Sequence, residues 1–119
     1  MIKLTDILNE VVNDKDSFTE FADKRLKGAT KITDSAKEKG GPSMLTYHHF
    51  VVKLPYYQKA SEGKFDIEKA EVEFEKLMKE LCKVNKDVKI TQTEFQRLVG
   101  KIEVLGELLI KNKWYEKVV

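Results

Sequence analysis

Apolar side chains recur once per helical turn along almost the whole chain. Leu4, Ile7, Leu8 and Val11 fall at i, i+3, i+4 and i+7, which predicts a short amphipathic helix over residues 4–12 with Thr5 as N-cap. Asn13 and Asp14 break it. Ser17-Phe18-Thr19-Glu20 has capping-box spacing, in which the serine hydroxyl and the glutamate carboxylate each take a free backbone N–H, so a second helix is expected to begin near Ser17. Phe18, Phe21, Ala22, Leu26, Ala29, Ile32 and Ala36 form its apolar face. Arg25 on that face covers apolar surface with its stem and keeps its head in water. Gly40-Gly41 ends the helix.

Pro42 suits the first position of a third helix, where its missing N–H costs nothing. Residues 44–54 are apolar nearly all round and include β-branched side chains, so a buried strand competes with a buried helix. The helix is preferred, because its neighbours are helical and a lone strand has nothing to pair with. Pro55 then kinks or restarts the chain, since its ring would clash with the carbonyl of Val51. Tyr56, Tyr57 and Ala60 predict a further short helical stretch before Gly63. Asp66 caps the cleanest amphipathic helix, with Ile67, Ala70, Phe74, Leu77, Met78, Leu81 and Val84 on one face. After a turn at residues 85–87, Val88-Lys89-Ile90 enters extended and Thr91-Gln92-Thr93-Glu94 forms a second capping box. Phe95, Leu98, Val99, Ile102, Leu105 and Leu109 line a last helix expected to run to about Lys111, and Trp114, Tyr115 and Val118 are expected to fold back over the bundle end. Gly100 and Gly106 mark points where a neighbour comes close. The predicted fold is all-α: a compact bundle of four to five helices forming a single domain over residues 1–119.

Length and charge narrow the function classes. A chain of 119 residues with 41% apolar side chains supports one core. The charged share of 35% implies a well-solvated surface, and 22 basic against 20 acidic residues leave only +2. Lys and Glu are interleaved rather than clustered, so nucleic acid is not the expected partner. Lys24, Arg25, Lys27 and Lys31 would carry a DNA-associated alternative, but they occupy more than one face of their helix. No apolar run reaches membrane-spanning length, and Asp6 and Glu10 interrupt any secretory h-region. Cys82, the one cysteine, cannot form an intramolecular disulfide and is expected to be a buried, inert thiol.

The constellation with chemical potential is Tyr47-His48-His49-Phe50, followed by Tyr56-Tyr57 beyond the Pro55 bend. Adjacent histidines point about 100° apart on a helix and cannot share one metal without distortion. Zinc-type spacing is absent, so neither metal nor cofactor is expected. Tyr47, His48, His49, Tyr56 and Tyr57 are candidates for a polar–aromatic binding patch, although packing at the core edge is the preferred reading of the same residues. The alternative is a small enzyme or metal-binding protein using His48 or His49 with a carboxylate from the helix capped by Asp66. Gly40-Gly41-Pro42-Ser43 lacks Walker spacing, and no Ser/His/Asp or Cys/His set is recognisable.

The opening Met1-Ile2-Lys3-Leu4-Thr5-Asp6-Ile7-Leu8-Asn9-Glu10 resembles the capsid-targeting peptide of internal head proteins in large contractile-tailed bacteriophages. In that family the peptide docks the protein onto the prohead core, and a maturation protease cuts after an apolar-x-Glu sequence. Leu8-Asn9-Glu10 matches the pattern, which makes Leu8 and Glu10 the candidate processing residues; the family's following small residue is replaced here by Val11. The same four apolar positions also serve as the buried stripe of a first bundle helix. Residues 40–66, with their Leu-Thr-Tyr-His-His-Phe and Lys-Leu-Pro-Tyr-Tyr runs, are similar to small uncharacterised proteins of such phages. Removing the peptide would take the basic count from 22 to 21 through Lys3 and the acidic count from 20 to 18 through Asp6 and Glu10, giving +3.

Pattern and resemblance lead to one expectation: a non-enzymatic phage accessory protein that binds another protein, a phage structural component or a host factor. It would work in the cytoplasm of the infected cell or inside the virion.

Overall fold

The computed structural model describes residues 14–84 and 89–117. Five helical segments follow one another: α1 (Asp14–Lys39), α2 (Ser43–Val51), α3 (Leu54–Ser61), α4 (Ile67–Val84) and α5 (Gln92–Lys117). Segments α2 and α3 are the two arms of one bent helix, so the architecture is an all-α bundle of four helices. The helix expected over residues 4–12, the turn at residues 85–87 and Val118 lie outside the described residues.

α1 begins at Asp14, one turn before the expected start, so Ser17 lies inside the helix rather than capping it. Asp14, expected to be part of a break, is instead helical, and acids near a helix N-terminus are favoured by the macrodipole. Ala22, Ala29 and Ala36 recur every seven residues and are all buried, as is Phe18. Such small side chains let the bent helix approach closely. Ile32, expected in this face, is 40% exposed; Thr33 takes the buried position instead. Its hydroxyl donates back to the carbonyls of Ala29 (2.8 Å) and Thr30 (2.9 Å), which satisfies the group without a partner from another helix.

Gly40 and Gly41 both take positive φ (63° and 55°), a conformation that a side chain disfavours, and so reverse the chain between α1 and α2. Residues 44–51 are helical and Leu54 opens α3, but α2 is not buried all round: none of its residues is fully buried, and Leu45 is on the surface. Among the described helices α2 packs chiefly against α1 and α5. Pro55 sits in the first turn of α3, beyond the break at Val52 and Lys53.

Two apolar clusters hold the bundle. Phe18, Ala22, Ala29, Tyr57, Ala60, Val104 and Leu108 join α1, α3 and α5. Ala70, Leu77 and Leu105 join α4 to α5. The caps of α4 and α5 form as the sequence predicts: Lys69 N–H donates to Asp66 Oδ1 and Glu94 N–H to Thr91 Oγ1, each at 3.1 Å. α5 continues to Lys117, past the expected end at Lys111. Trp114 and Tyr115 therefore stay helical rather than folding back. Nothing between Lys111 and Lys117 breaks a helix, and Tyr115 anchors this turn by packing its ring edge on Phe18. Cys82 is exposed, contrary to the buried thiol expected. It lies off the stripe that meets α5, and no other described helix packs extensively on α4.

Candidate functional site

The polar residues singled out in the sequence converge on the junction between the bent helix and α5. His49, Lys53 and Tyr57 are four residues apart, so they share one helical face. The line survives the bend because the backbone keeps turning through it: Lys53 N–H donates to Phe50 O (3.0 Å) and Tyr57 N–H to Lys53 O (3.1 Å). Opposite them on α5, Gln96, Gly100, Glu103 and Glu107 recur at helical spacing.

The two lines pair in register. His49 places Nδ1 3.1 Å from Gln96 Oε1 and Nε2 3.0 Å from Glu103 Oε1. Lys53 Nζ donates to the same Glu103 oxygen at 3.0 Å, and lies 4.8 Å from the centroid of the Phe50 ring. The Tyr57 hydroxyl donates to Glu107 Oε1 at 2.6 Å, while Arg25 Nε stands 3.5 Å from Glu107 Oε2. Between these pairs Gly100 admits the backbone of α2: a Cβ there would land on the His49 carbonyl oxygen and 2.7 Å from Val52 Cγ2. The close approach brings these side chains within hydrogen-bonding reach of one another.

The electrostatics follow from this geometry. Partial burial alone would raise the Glu103 carboxyl, but the hydrogen bond and charge of Lys53, then those of His49, outweigh it and hold Glu103 below its ordinary value. Lys53 is itself buried, which its carboxylate partner makes tolerable. Burial pushes the Tyr57 phenol well above its ordinary value, and the Glu107 carboxylate adds to the shift. Tyr56 shifts the same way, by burial and then by its hydrogen bond to Glu73 on α4.

The five candidate residues thus have different surroundings. His49 and Tyr57 tie the bent helix to α5, and Tyr56 ties it to α4. His48 accepts a hydrogen bond from Arg97 Nε at its Nδ1 (3.1 Å) and stacks edge-on with Tyr47. The carboxylate beside His49 comes from α5, not from α4. Lys53, Gln96, Glu103 and Glu107 complete the group; the spacing of 49, 53 and 57 was their one sequence signal. Leu8 and Glu10 lie outside the described residues. Among the described residues, no three His, Cys, Asp or Glu side chains come together as metal donors.

Chemically, this arrangement is a set of clamps. Glu103 and Gln96 engage both nitrogens of His49, and Lys53 and His49 share one oxygen of Glu103. The residues of the DNA-associated alternative are also partly engaged: Arg25 with Glu107, and Lys27 with Asp23 at 3.0 Å. No described helix is long and apolar enough to cross a membrane. Neither histidine lines the three adjoining clefts that run along α4 and α5, although Tyr56 does. Comparison with known proteins gives no match: no family profile, no curated protein and no solved structure aligns with this chain.

Proposed function

We propose that this chain is a non-enzymatic accessory protein of a large contractile-tailed phage and acts by binding another protein. The viral part rests on the resemblance of residues 1–10 and 40–66. The binding part rests on one observation: the apolar stripe of α4 is wider than its contact with α5 covers. Only Ala70 and Leu77 of α4 are fully buried, and Met78 of the stripe is 37% exposed. An amphipathic helix left half-covered stabilises its own fold less and offers apolar area to a partner.

Two measurements test this. Peptides of the chain should appear by mass spectrometry in purified virions or, if the protein acts outside the head, one phage or host protein should co-purify with the tagged chain from infected cells at near-equal stoichiometry. Absence from virions together with no stoichiometric partner would overturn it.

His49 beside Glu103 supports a second reading, acid–base or metal chemistry at His48 and His49. An imidazole oriented by a carboxylate is half of such a site. Calorimetric titration with zinc checks the metal form: heat that His49→Ala abolishes would favour it, and no heat would remove it.

A further inference from the structure

A groove runs along the side of α4 that carries Glu73 and Leu77, not the flank that carries Met78. α4 packs chiefly against α5, while α3 packs on α1 and α5, so α3 and α4 stand apart with the Tyr56–Glu73 hydrogen bond reaching across. Three clefts adjoin along α4 and α5, the second and third of them reaching α3. The first has Leu77, Val84, Ile90 and Leu98 as its apolar lining, carries Glu80 and Glu94 beside Lys83, and shares Arg97 and Lys101 with the second. The second, about 510 Å3, has Val51, Val52 and Pro55 beneath Lys59, Arg97 and Lys101. The third shares Tyr56, Lys59 and Glu73 with the second and adds Phe65 and Ala70, with Lys64 and Lys69 beside Asp66.

Charge distinguishes the middle of this groove. Three cations face it against one carboxylate, and that carboxylate, Glu73, already accepts from Tyr56. Lys59, Lys69 and Lys101 make no hydrogen bond or ion pair through their ammonium groups among the described residues. Arg97 gives its Nε to His48, which leaves the far end of the guanidinium free to bond elsewhere. Some cations at other helix junctions are matched, Lys53 by Glu103, Arg25 by Glu107 and Lys113 by Glu71, whereas Lys31 and Lys39 in the cleft between α1 and α2 are not matched among the described residues.

We infer that this groove is the docking site for an amphipathic helix of a partner protein whose apolar stripe is flanked by Asp and Glu. The inference rests on the protein-binding function proposed above and adds the surface and the partner's chemistry. α4 is 18 residues long, so the groove offers about 27 Å of wall at 1.5 Å per residue, enough for several turns of a second helix. Apolar floor and charged rim are the two elements of helix-in-groove recognition, and the unmatched cations select the sign of the rim.

The test uses the full chain and two synthetic amphipathic peptides matched to α4 in length, with one apolar stripe in common and rims of Glu or of Lys. By fluorescence anisotropy the Glu-rimmed peptide should bind roughly tenfold more tightly than its twin, and the gap should narrow with added salt. The double variant Lys59→Glu/Lys101→Glu should reverse that preference while its circular dichroism and urea midpoint match the parent's. Equal binding of the two peptides, no binding of the acidic one, or an unchanged preference in the variant would overturn the inference. So would tighter binding of a DNA duplex, or peptide binding seen only after deletion of residues 1–13, which would assign the groove to the chain's own N-terminal segment. A dimer in sedimentation that the double variant dissociates would give it to a second copy. If a stoichiometric partner co-purifies equally with parent and double variant, the groove assignment fails while the protein-binding function stands.

Discussion

Gly100→Ala isolates the packing on which the clamps between α2 and α5 depend. The added methyl would sit 2.7 Å from Val52 Cγ2, where carbon atoms ordinarily rest about 3.5–4.0 Å apart. Its other neighbour is the His49 carbonyl oxygen, a backbone atom that cannot rotate out of the way. α2 and α5 must therefore part by roughly 1 Å. That movement stretches the bonds from His49 to Gln96 and Glu103 and from Lys53 to Glu103, now 3.0–3.1 Å. Overpacking costs about 1–3 kcal/mol, and the weakened bonds add about 1 kcal/mol. Alanine returns about 1 kcal/mol through helix propensity, which leaves a net loss near 2 kcal/mol.

Urea unfolding followed by circular dichroism reads this directly. With a slope of about 1–2 kcal/mol per molar for a domain of this size, the midpoint should fall by about 1–2 M. Gly28→Ala is the control, because nothing lies within 4 Å of its added methyl. There the propensity gain of about 1 kcal/mol is unopposed, so the midpoint should rise. The two substitutions are chemically identical and should differ in sign. A Gly100→Ala protein as stable as the parent would refute the close contact between α2 and α5.

Further expectations concern single groups. Tyr57→Phe removes a donor from Glu107 but leaves Arg25 beside it, and should cost about 1–2 kcal/mol in the same urea assay. Glu103 has a lowered value in the folded state, so its contribution is present above the ordinary carboxylate value of 4.5 and is lost as pH falls through the folded one. Glu103→Gln should flatten the acid limb of a plot of urea midpoint against pH. Tyr56 and Tyr57 are raised above 10.0, so the stability they confer is complete below that pH and declines as the unfolded chain alone ionises above it. Absorbance at the phenolate band should show two tyrosines that ionise only on unfolding, and two fewer such groups in the double Phe variant. Exposed Cys82 should react stoichiometrically with a thiol reagent in the native protein; reaction only after denaturant would contradict its position.

Helical period carried most of the fold. Apolar spacing located α4 and α5, and the Asp66 and Thr91 caps place their starts, because a cap is a local bond between residues three apart. Gly100 and Gly106 were recognisable as contact points for a similar reason: a glycine inside a well-patterned helix costs stability unless something fills the space its side chain would take. In the structure the neighbours are α2 at Gly100 and the Phe74 ring at Gly106. Helix ends without such markers were misplaced. α1 starts a turn early and α5 runs on past Lys111, since propensity changes little from one charged residue to the next.

The clamps were illegible for a different reason. Period says that His49, Lys53 and Tyr57 share a face, but not which helix that face meets. A lysine in an apolar run looks like a surface residue until a glutamate from fifty positions away is seen against it. Pairing of this kind is set by tertiary packing, not by local spacing.

Burial of α4 departs from its sequence pattern in the most informative way. Its stripe is the cleanest in the chain, and a stripe of that width ordinarily meets two neighbours. Here α5 is the principal neighbour among the described helices, so Met78 and part of the half-buried Phe74 and Leu81 surface remain exposed. α1 shows the opposite relation. Its stripe is narrow and made of alanines, yet the bent helix covers it fully at Ala22, Ala29 and Ala36. Apolar surface supplied beyond what the fold buries has a cost in solubility and in self-association. Among the described helices only α5 packs extensively on α4, and the flank with Met78 is the area that the proposed binding function would use.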